Sequence, residues 1–306
     1  MARERNDLAD RAVDAALRAA LASGRALPYP ARIRAAGALV SRVAAPVAGW
    51  RGRIAQNLAH ACPDLPASEV RRLQRLVPDR AGRTLAELYA GEAFLRRVRG
   101  LPLEGPGVEA LEEARRRGRP VVAVTGHFGN YLAAGAAFLA RGHDGAALYR
   151  PMRNPHVDRH YAEAMRGVGP MFPQGREGLG GMLRHLRGGG LLVILSDLWV
   201  HDGPELRFFD RPARTALTPA TLARRHDALL VPFYGLRRPD GLSFEARVHA
   251  PIPHGAPEAM MQAVNDDLEA MVRAHMDQWF WVHRRWKPER RRRAGGERAE
   301  ADAAGG

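Results

Sequence analysis

Cysteine and lysine are almost missing from these 306 residues: Cys62 and Lys287 each stand alone. One thiol excludes an intramolecular disulfide and a cysteine-built metal cluster, and it suits a cytosol-facing protein. With a single lysine, basic charge is carried by arginine, and the formal net charge is +14 with a sequence pI of about 11.1. A chain this basic meets a polyanion, whether nucleic acid, an anionic membrane surface or a phosphorylated substrate. A GC-rich genome also favours arginine, so only arginines placed inside a motif carry an argument. Long apolar runs are missing as well. The best candidate, residues 35–50, is interrupted by Arg42 and falls short of the roughly 20 apolar residues a bilayer crossing needs. Flanked by Arg32, Arg34, Arg51 and Arg53, it suits a helix lying on an anionic leaflet or an ordinary helix packed on a core. The charged residues 1–10 lead into no apolar stretch of the kind a cleavable signal peptide requires.

What is present is a folded body, since 46% of the residues are hydrophobic. Leu8, Val13, Leu17 and Leu21 recur at about one helical turn, which predicts a helix over 8–24. A second helix is expected over 31–60 with a glycine-containing junction near Trp50. Ser68 is an expected N-cap for a helix over 69–76, and another helix is expected over 79–97. From residue 120 the pattern changes to short apolar runs at 121–124, 146–149, 191–195 and 229–234. Helical segments fall between them at 133–140, 156–168, 179–186 and 218–225. Residues 242–250 alternate as an edge strand does, and a long helix is expected over 257–276. This alternation predicts an α/β fold with a central, mostly parallel sheet flanked by helices. The expected organisation is a helical, membrane-associating N-terminal region over 1–100, an α/β core over 101–287, and a charged, disordered tail over 288–306.

Five stretches can carry chemistry. Thr125 to Tyr131 follows a buried strand and enters a helix, so His127 sits at a strand end near a helix N-terminus. A neutral histidine there serves as a general base, or it caps the turn. The glycines Gly126 and Gly129 let a substrate approach the backbone. Arg150 and Arg153 project from a loop stiffened by Pro151 and Pro155; the arginine fork suits phosphate, against the alternative of a solvated turn. Asp197, just past the third strand, can orient a base or cap the next segment. Phe208 and Phe209 beside Arg211 and Arg214 read as a lipid-facing loop with phosphate contacts, or as a small hydrophobic cluster. Trp279 to Lys287 interleaves aromatics with cations. That fits a membrane interface, a stacked nucleic-acid surface, or a terminal strand whose aromatics enter the core. No helix-turn-helix, zinc-finger or RNA-recognition signature accompanies the charge, so a nucleic-acid partner is not expected.

In order and spacing these motifs resemble the lipid A biosynthesis lauroyl/myristoyl acyltransferases, the late acyltransferases of the lysophospholipid acyltransferase superfamily. The resemblance covers about residues 27–287. It rests on Asn57-Leu58, Glu87-Leu88-Tyr89, Gly126-His127-Phe128-Gly129-Asn130, Tyr149-Arg150-Pro151 with Asn154-Pro155, Phe208-Phe209 with Arg211-Pro212 and Thr215, and Trp281-Val282-His283-Arg284-Arg285-Trp286-Lys287. It implies a glycerol-phosphate-acyltransferase-like fold on the cytoplasmic face of the inner membrane. It also implies transfer of a fatty acyl chain from acyl carrier protein to a hydroxyl of a lipid A precursor or related glycolipid, without a metal or redox cofactor. His127 would deprotonate the acceptor, and Gly129, Asn130, Arg150, Arg153, Arg211 and Thr215 would bind substrate. The family motif places an acidic residue five positions after the histidine, and Leu132 stands there instead. Leu198 likewise replaces a residue that is glutamine in many relatives. Either Asp197 partners His127, or His127 works alone and slowly, or the chain is an inactive paralogue that binds lipid or carrier protein.

Overall fold

The computed structural model describes residues 7–149 and 151–287. Arg150 and the tail over 288–306 lie outside the described residues. The chain opens with helices α1 (Asp7–Arg25), α2 (Tyr29–Leu39), α3 (Ala45–Val47), α4 (Trp50–Ala61), α5 (Ala67–Leu88) and α6 (Glu92–Val98), with a π-helical turn over Val40–Ala44 between α2 and α3. Then follow β1 (Leu103–Glu104), α7 (Val108–Arg116), β2 (Val121–Thr125), α8 (Tyr131–Ala140), β3 (Gly145–Tyr149), α9 (Pro155–Met165), β4 (Met171–Pro173), α10 (Arg176–Arg187) and β5 (Leu191–Leu195). The rest comprises β6 (Glu205–Phe208), β7 (Arg211–Arg214), α11 (Thr218–Arg225), β8 (Leu229–Arg237), β9 (Phe244–Val248) and α12 (Pro257–Ala274).

Seven strands form one sheet in the order β1-β9-β8-β2-β5-β3-β4. Every neighbouring pair is parallel except β8 with β9. This is the mostly parallel, helix-flanked α/β sheet that the alternating pattern predicts. β2 is central and buried along its whole length, as expected of a strand covered on both faces. Alanines of α8 (Ala133, Ala134, Ala136 and Ala137) are almost inaccessible, and their small side chains let that helix lie close to the sheet.

Several expectations need correction. The helices expected over 69–76 and 79–97 are instead one helix, α5, followed after a break by α6; Pro66, not Ser68, occupies the N-cap. Pro78 sits inside α5. An interior proline removes one helical hydrogen bond and costs about 3 kcal/mol, but α5 buries Leu73, Val77, Ala86 and Leu88, and packing on that scale outweighs it. The strand β9 is not at the sheet edge, because β1 adds beyond it; two residues of strand leave too little alternation to read. The loop expected to present Phe208 and Phe209 to lipid is a hairpin of β6 and β7. Both rings are buried, at 0% and 1% exposure. Its two turn residues, Phe209 and Asp210, both have φ of 55°, the left-handed pair that a two-residue hairpin demands. A bulky residue resists that conformation. The Phe209 N–H donates to Glu269 Oε2 at 2.5 Å and the ring fills the core, which holds it there.

Candidate active site

Strands β2 and β5 run side by side and parallel, with Thr125 opposite Leu195. His127 and Asp197 each lie two residues beyond that pair, so equal steps past the same sheet end bring them together. Ligands of open α/β sheets sit at this carboxyl end of the strands. His127 Nδ1 is 2.8 Å from Asp197 Oδ1, and the His127 main-chain N–H donates to Oδ2 at 2.7 Å. The indole N–H of Trp279 donates to the same Oδ2 at 2.9 Å. Asp197 is 1% exposed. Burial pushes its pKa up, but the neighbouring His127, through its charge and hydrogen bonds, outweighs that and holds the carboxyl well below the usual range. An ionised carboxylate only accepts hydrogen bonds, so Nδ1 must carry the proton in that bond. Nε2 of a neutral His127 is then the basic nitrogen, and no described residue bonds to it.

The loop bearing His127 is fixed from below. Gly129 has φ of 55°, and a Cβ there would fall 2.0 Å from the carbonyl oxygen of Gly235. The bare backbones instead bond, Asn130 N–H to Gly235 O at 2.7 Å and Gly129 N–H to Gln278 O at 2.8 Å. Phe280 N–H donates to His127 O at 2.9 Å. Asn130, fully buried, accepts from Leu132 N–H and donates to Glu87 Oε2 at 2.7 Å. Glu87 forms a two-pronged pair with Arg237, both contacts at 2.5 Å, with neither side chain more than 1% exposed. The Glu87-Leu88-Tyr89 motif thus carries a structural clamp between α5, the His127 loop and β8.

Two apolar pockets meet at His127. One, about 320 Å³, runs between α8, β3 and β5 and is lined by Leu132, Gly135, Phe138, Met165 and Val193. The other, about 180 Å³, lies against α5 and is lined by Leu85, Leu88, Gly129 and Trp279. Tyr131, Leu132 and Tyr161 border both. Leu132 is 4% exposed and packs with Leu88, Ala136 and Met165. His283 lies edge-to-face on His127, with ring centroids 4.3 Å apart. Burial, together with the charge of His127, pulls its pKa down to about 4, so it is neutral at neutral pH. Among the described residues no group of three or more His, Cys, Asp or Glu side chains is arranged to hold a metal.

Of the residues singled out from sequence, the structure brings His127, Asp197 and Gly129 to this centre. Asn130 and Thr215 are sealed in protein. Thr215 donates to Ala213 O at 2.8 Å and accepts from Arg285 at 2.7 Å, so both serve the frame. Arg211 donates to His60 O and lines a separate open cleft with Cys62 and Arg273. Arg153 is exposed and lines neither pocket. Trp279 and Trp281 are 0% exposed, so the aromatic stretch is core and not a membrane belt. It follows the 3₁₀ turn Met276–Gln278 as turn and loop with one bridge, Phe128 to Trp279, and not as a strand. Tyr161 stands in none of the motifs singled out from the sequence, and Trp279, Tyr131 and His283 stand in motifs there without being assigned to this centre. Tyr131 and Leu132 adjoin the histidine in sequence, whereas the pairing of Phe128 with Trp279 brings in the C-terminal segment and α9 brings in Tyr161.

The chain matches the bacterial lipid A biosynthesis acyltransferase description over residues 5–288. It belongs to that family. Among its relatives, the lipid A biosynthesis lauroyltransferase of Escherichia coli K12 is 28% identical over 272 residues, 85% of this chain and 87% of the relative. A lipid A biosynthesis acyltransferase of Haemophilus influenzae is 22% identical over 179 residues, 58% of this chain and 56% of that protein. Lipid A biosynthesis acyltransferase 2 of Shigella flexneri is 24% identical over 184 residues, and 58% of each chain is covered. The chain therefore spans little more than half of the Haemophilus and Shigella proteins, and most of the lauroyltransferase. In this member of the family the His127 imidazole is paired with the carboxylate of Asp197.

Proposed function

We propose that this acyltransferase moves a fatty acyl chain from acyl carrier protein to a hydroxyl of a lipid A precursor or a related glycolipid, at the cytoplasmic face of the inner membrane. One observation carries the reading: a histidine held by a buried carboxylate lines a mostly apolar pocket of about 320 Å³. His127 Nε2 takes the proton of the acceptor hydroxyl, and the oxygen attacks the thioester carbonyl. As the tetrahedral intermediate collapses, the carbon–sulfur bond breaks and the proton passes from Nε2 to the departing thiolate. The products are an ester and the carrier thiol. Asp197 fixes the tautomer and stabilises the imidazolium, the role a buried aspartate plays beside a catalytic histidine.

Membrane attachment belongs to the same reading. No described helix is long and apolar enough to cross a bilayer. Leu39, Val43 and Val47 recur every fourth residue and are 54%, 53% and 87% exposed, with Arg34, Arg42 and Arg51 exposed beside them. An apolar stripe edged by arginine suits peripheral binding to an anionic leaflet.

A second reading is favoured by Leu132: an inactive paralogue that binds lipid or carrier protein without turnover. Transfer of labelled acyl chain from acyl carrier protein to a tetraacylated lipid A precursor separates the two. Wild type, His127→Ala and Leu132→Glu are run together. Product lost in His127→Ala supports the enzyme, whereas no wild-type product on several acceptors, with binding intact, supports the paralogue.

A further inference from the structure

A third apolar cavity of about 440 Å³ lies away from His127, between α1, α2 and α5. Leu17, Ala20 and Leu21 of α1 form one wall; Ala36, Leu39 and Leu85 face them from α2 and α5. Leu85 also lines the smaller pocket at His127, so the two spaces share a wall. The cover is lightly attached. No residue of α1 is buried, and α1 is fastened to α9 by polar contacts: His156 to Asp7 at 3.0 Å, His160 to Asp14 at 2.9 Å, and Asn154 to the Asp10 carbonyl at 2.8 Å. A helix held mainly by its polar side, over an apolar space, leaves that space for a guest.

The charge at the cavity says what kind. Its charged lining residues are Arg25 and Arg32. Arg32 Nε is buried and has no hydrogen-bond partner among the described residues, and the hydroxyl of Tyr29 beside it is equally unmatched. The Arg32 guanidinium lies 5.5 Å from the Tyr29 ring centroid, and that of Arg97 lies 4.2 Å from it. A buried donor left unpaired costs free energy, and a cation beside an apolar cavity is matched by an amphiphile with an anionic head. We infer that the α1–α2–α5 cavity binds an acyl chain of an anionic membrane lipid, with its head group on Arg32. The site lies apart from the reacting centre and holds the lipid without altering it.

The full-length protein is incubated with a lysophosphatidylglycerol carrying a photoactivatable diazirine in its chain, and the adducts are mapped by peptide mass spectrometry. Adducts on residues 17–40 and 82–89 are expected. Labelling there should fall about tenfold in Arg32→Gln, which removes the charged fork, and by a similar factor in Ala20→Trp, which fills the space from an exposed position. Unlabelled lysophosphatidylglycerol should compete, and lysophosphatidylcholine and inorganic phosphate should not. Adducts confined to residues 131–198, labelling that survives Ala20→Trp, or equal competition by phosphate alone would each overturn the assignment. No acyl donor is present, so an absence of transfer activity leaves this result standing.

Discussion

Trp279 donates its indole N–H to Oδ2 of Asp197 at 2.9 Å. The carboxylate is therefore held at both oxygens, Oδ1 by the imidazole and Oδ2 by the indole and the His127 main chain. It cannot rotate away from Nδ1 without breaking all of these bonds, which pre-positions the base before substrate arrives.

Removing the negative charge from this arrangement should therefore act on turnover more than on binding. Asp197→Asn is expected to lower kcat by about 10³ to 10⁴, the range set by losing the orienting acid of a catalytic histidine, with KM changed little. Steady-state transfer kinetics check this, alongside circular dichroism to show that the fold is retained. A fall in KM affinity with kcat intact would reject the orienting role.

Glu87 and Arg237 face each other with no solvent to soften a mismatch. Glu87→Ala strands a buried guanidinium and should destabilise the protein by about 3–5 kcal/mol. It also releases Asn130, so the His127 loop loosens with it. Urea denaturation of the variant measures the first effect, and a fall in kcat under conditions where the variant is still folded measures the second.

His283 titrates against the fold. Its pKa, about 4 in the folded chain, is below the ordinary 6.5, so between those values the unfolded chain binds more protons. Stability therefore rises with pH across that window and is lost as pH falls from 6.5 toward 4. His283→Gln should flatten part of this slope, by up to about 2 kcal/mol between pH 6.5 and 5 at 1.36 kcal/mol per unit. Thermal melts of both proteins at the two pH values decide it; parallel slopes would show that His283 does not contribute.

Gly135 lines the larger pocket, and a Cβ built on it meets nothing within 4 Å. Gly135→Leu should enter that space without disturbing the helix and shorten the chain it accepts. Each lost methylene is worth about 1–3 kcal/mol of discrimination, so kcat/KM for long acyl donors should drop by at least about tenfold relative to short ones. Competition between donors of different length gives the ratio directly.

The stripe of Leu39, Val43 and Val47 lies outside the core, so charge can be placed there cheaply. Val43→Asp with Val47→Asp should leave the melting temperature nearly unchanged and weaken sedimentation with anionic vesicles by about tenfold or more, given about 1.5–3 kcal/mol for each buried side chain. Unchanged sedimentation would move the attachment surface elsewhere.

The sheet was readable because its strands are short apolar runs broken by glycine and proline, and periodicity needs only neighbours in sequence. His127 and Asp197 could be picked out for the same reason: each follows such a run at the same offset. What periodicity does not encode is which distant segments touch. Asn130 and Thr215 sit in motifs and are polar, which is equally what a substrate contact and a buried hydrogen-bond hub require. The Trp279–Trp286 stretch mixes aromatics and cations, and only the packing of Trp279 on Phe208 and Trp281 on Phe209 separates core from membrane. Pro78 reads as a helix break in the sequence, and tertiary packing carries α5 straight through it.

Gly129 and Gly235 meet through bare main chain: a Cβ on Gly129 would fall 2.0 Å from the carbonyl oxygen of Gly235, and one on Gly235 would fall 2.0 Å from that of Asn130. Anyone reshaping this enzyme inherits a fixed datum: the base is registered to the sheet by peptide groups, which no amino-acid choice can retune. Variation in what the catalyst accepts must come from the movable walls, α8 on one side and α5 on the other. A library that spares the two glycines and Glu87 and diversifies only the pocket-lining positions of those helices would search specificity while leaving the chemistry where it is.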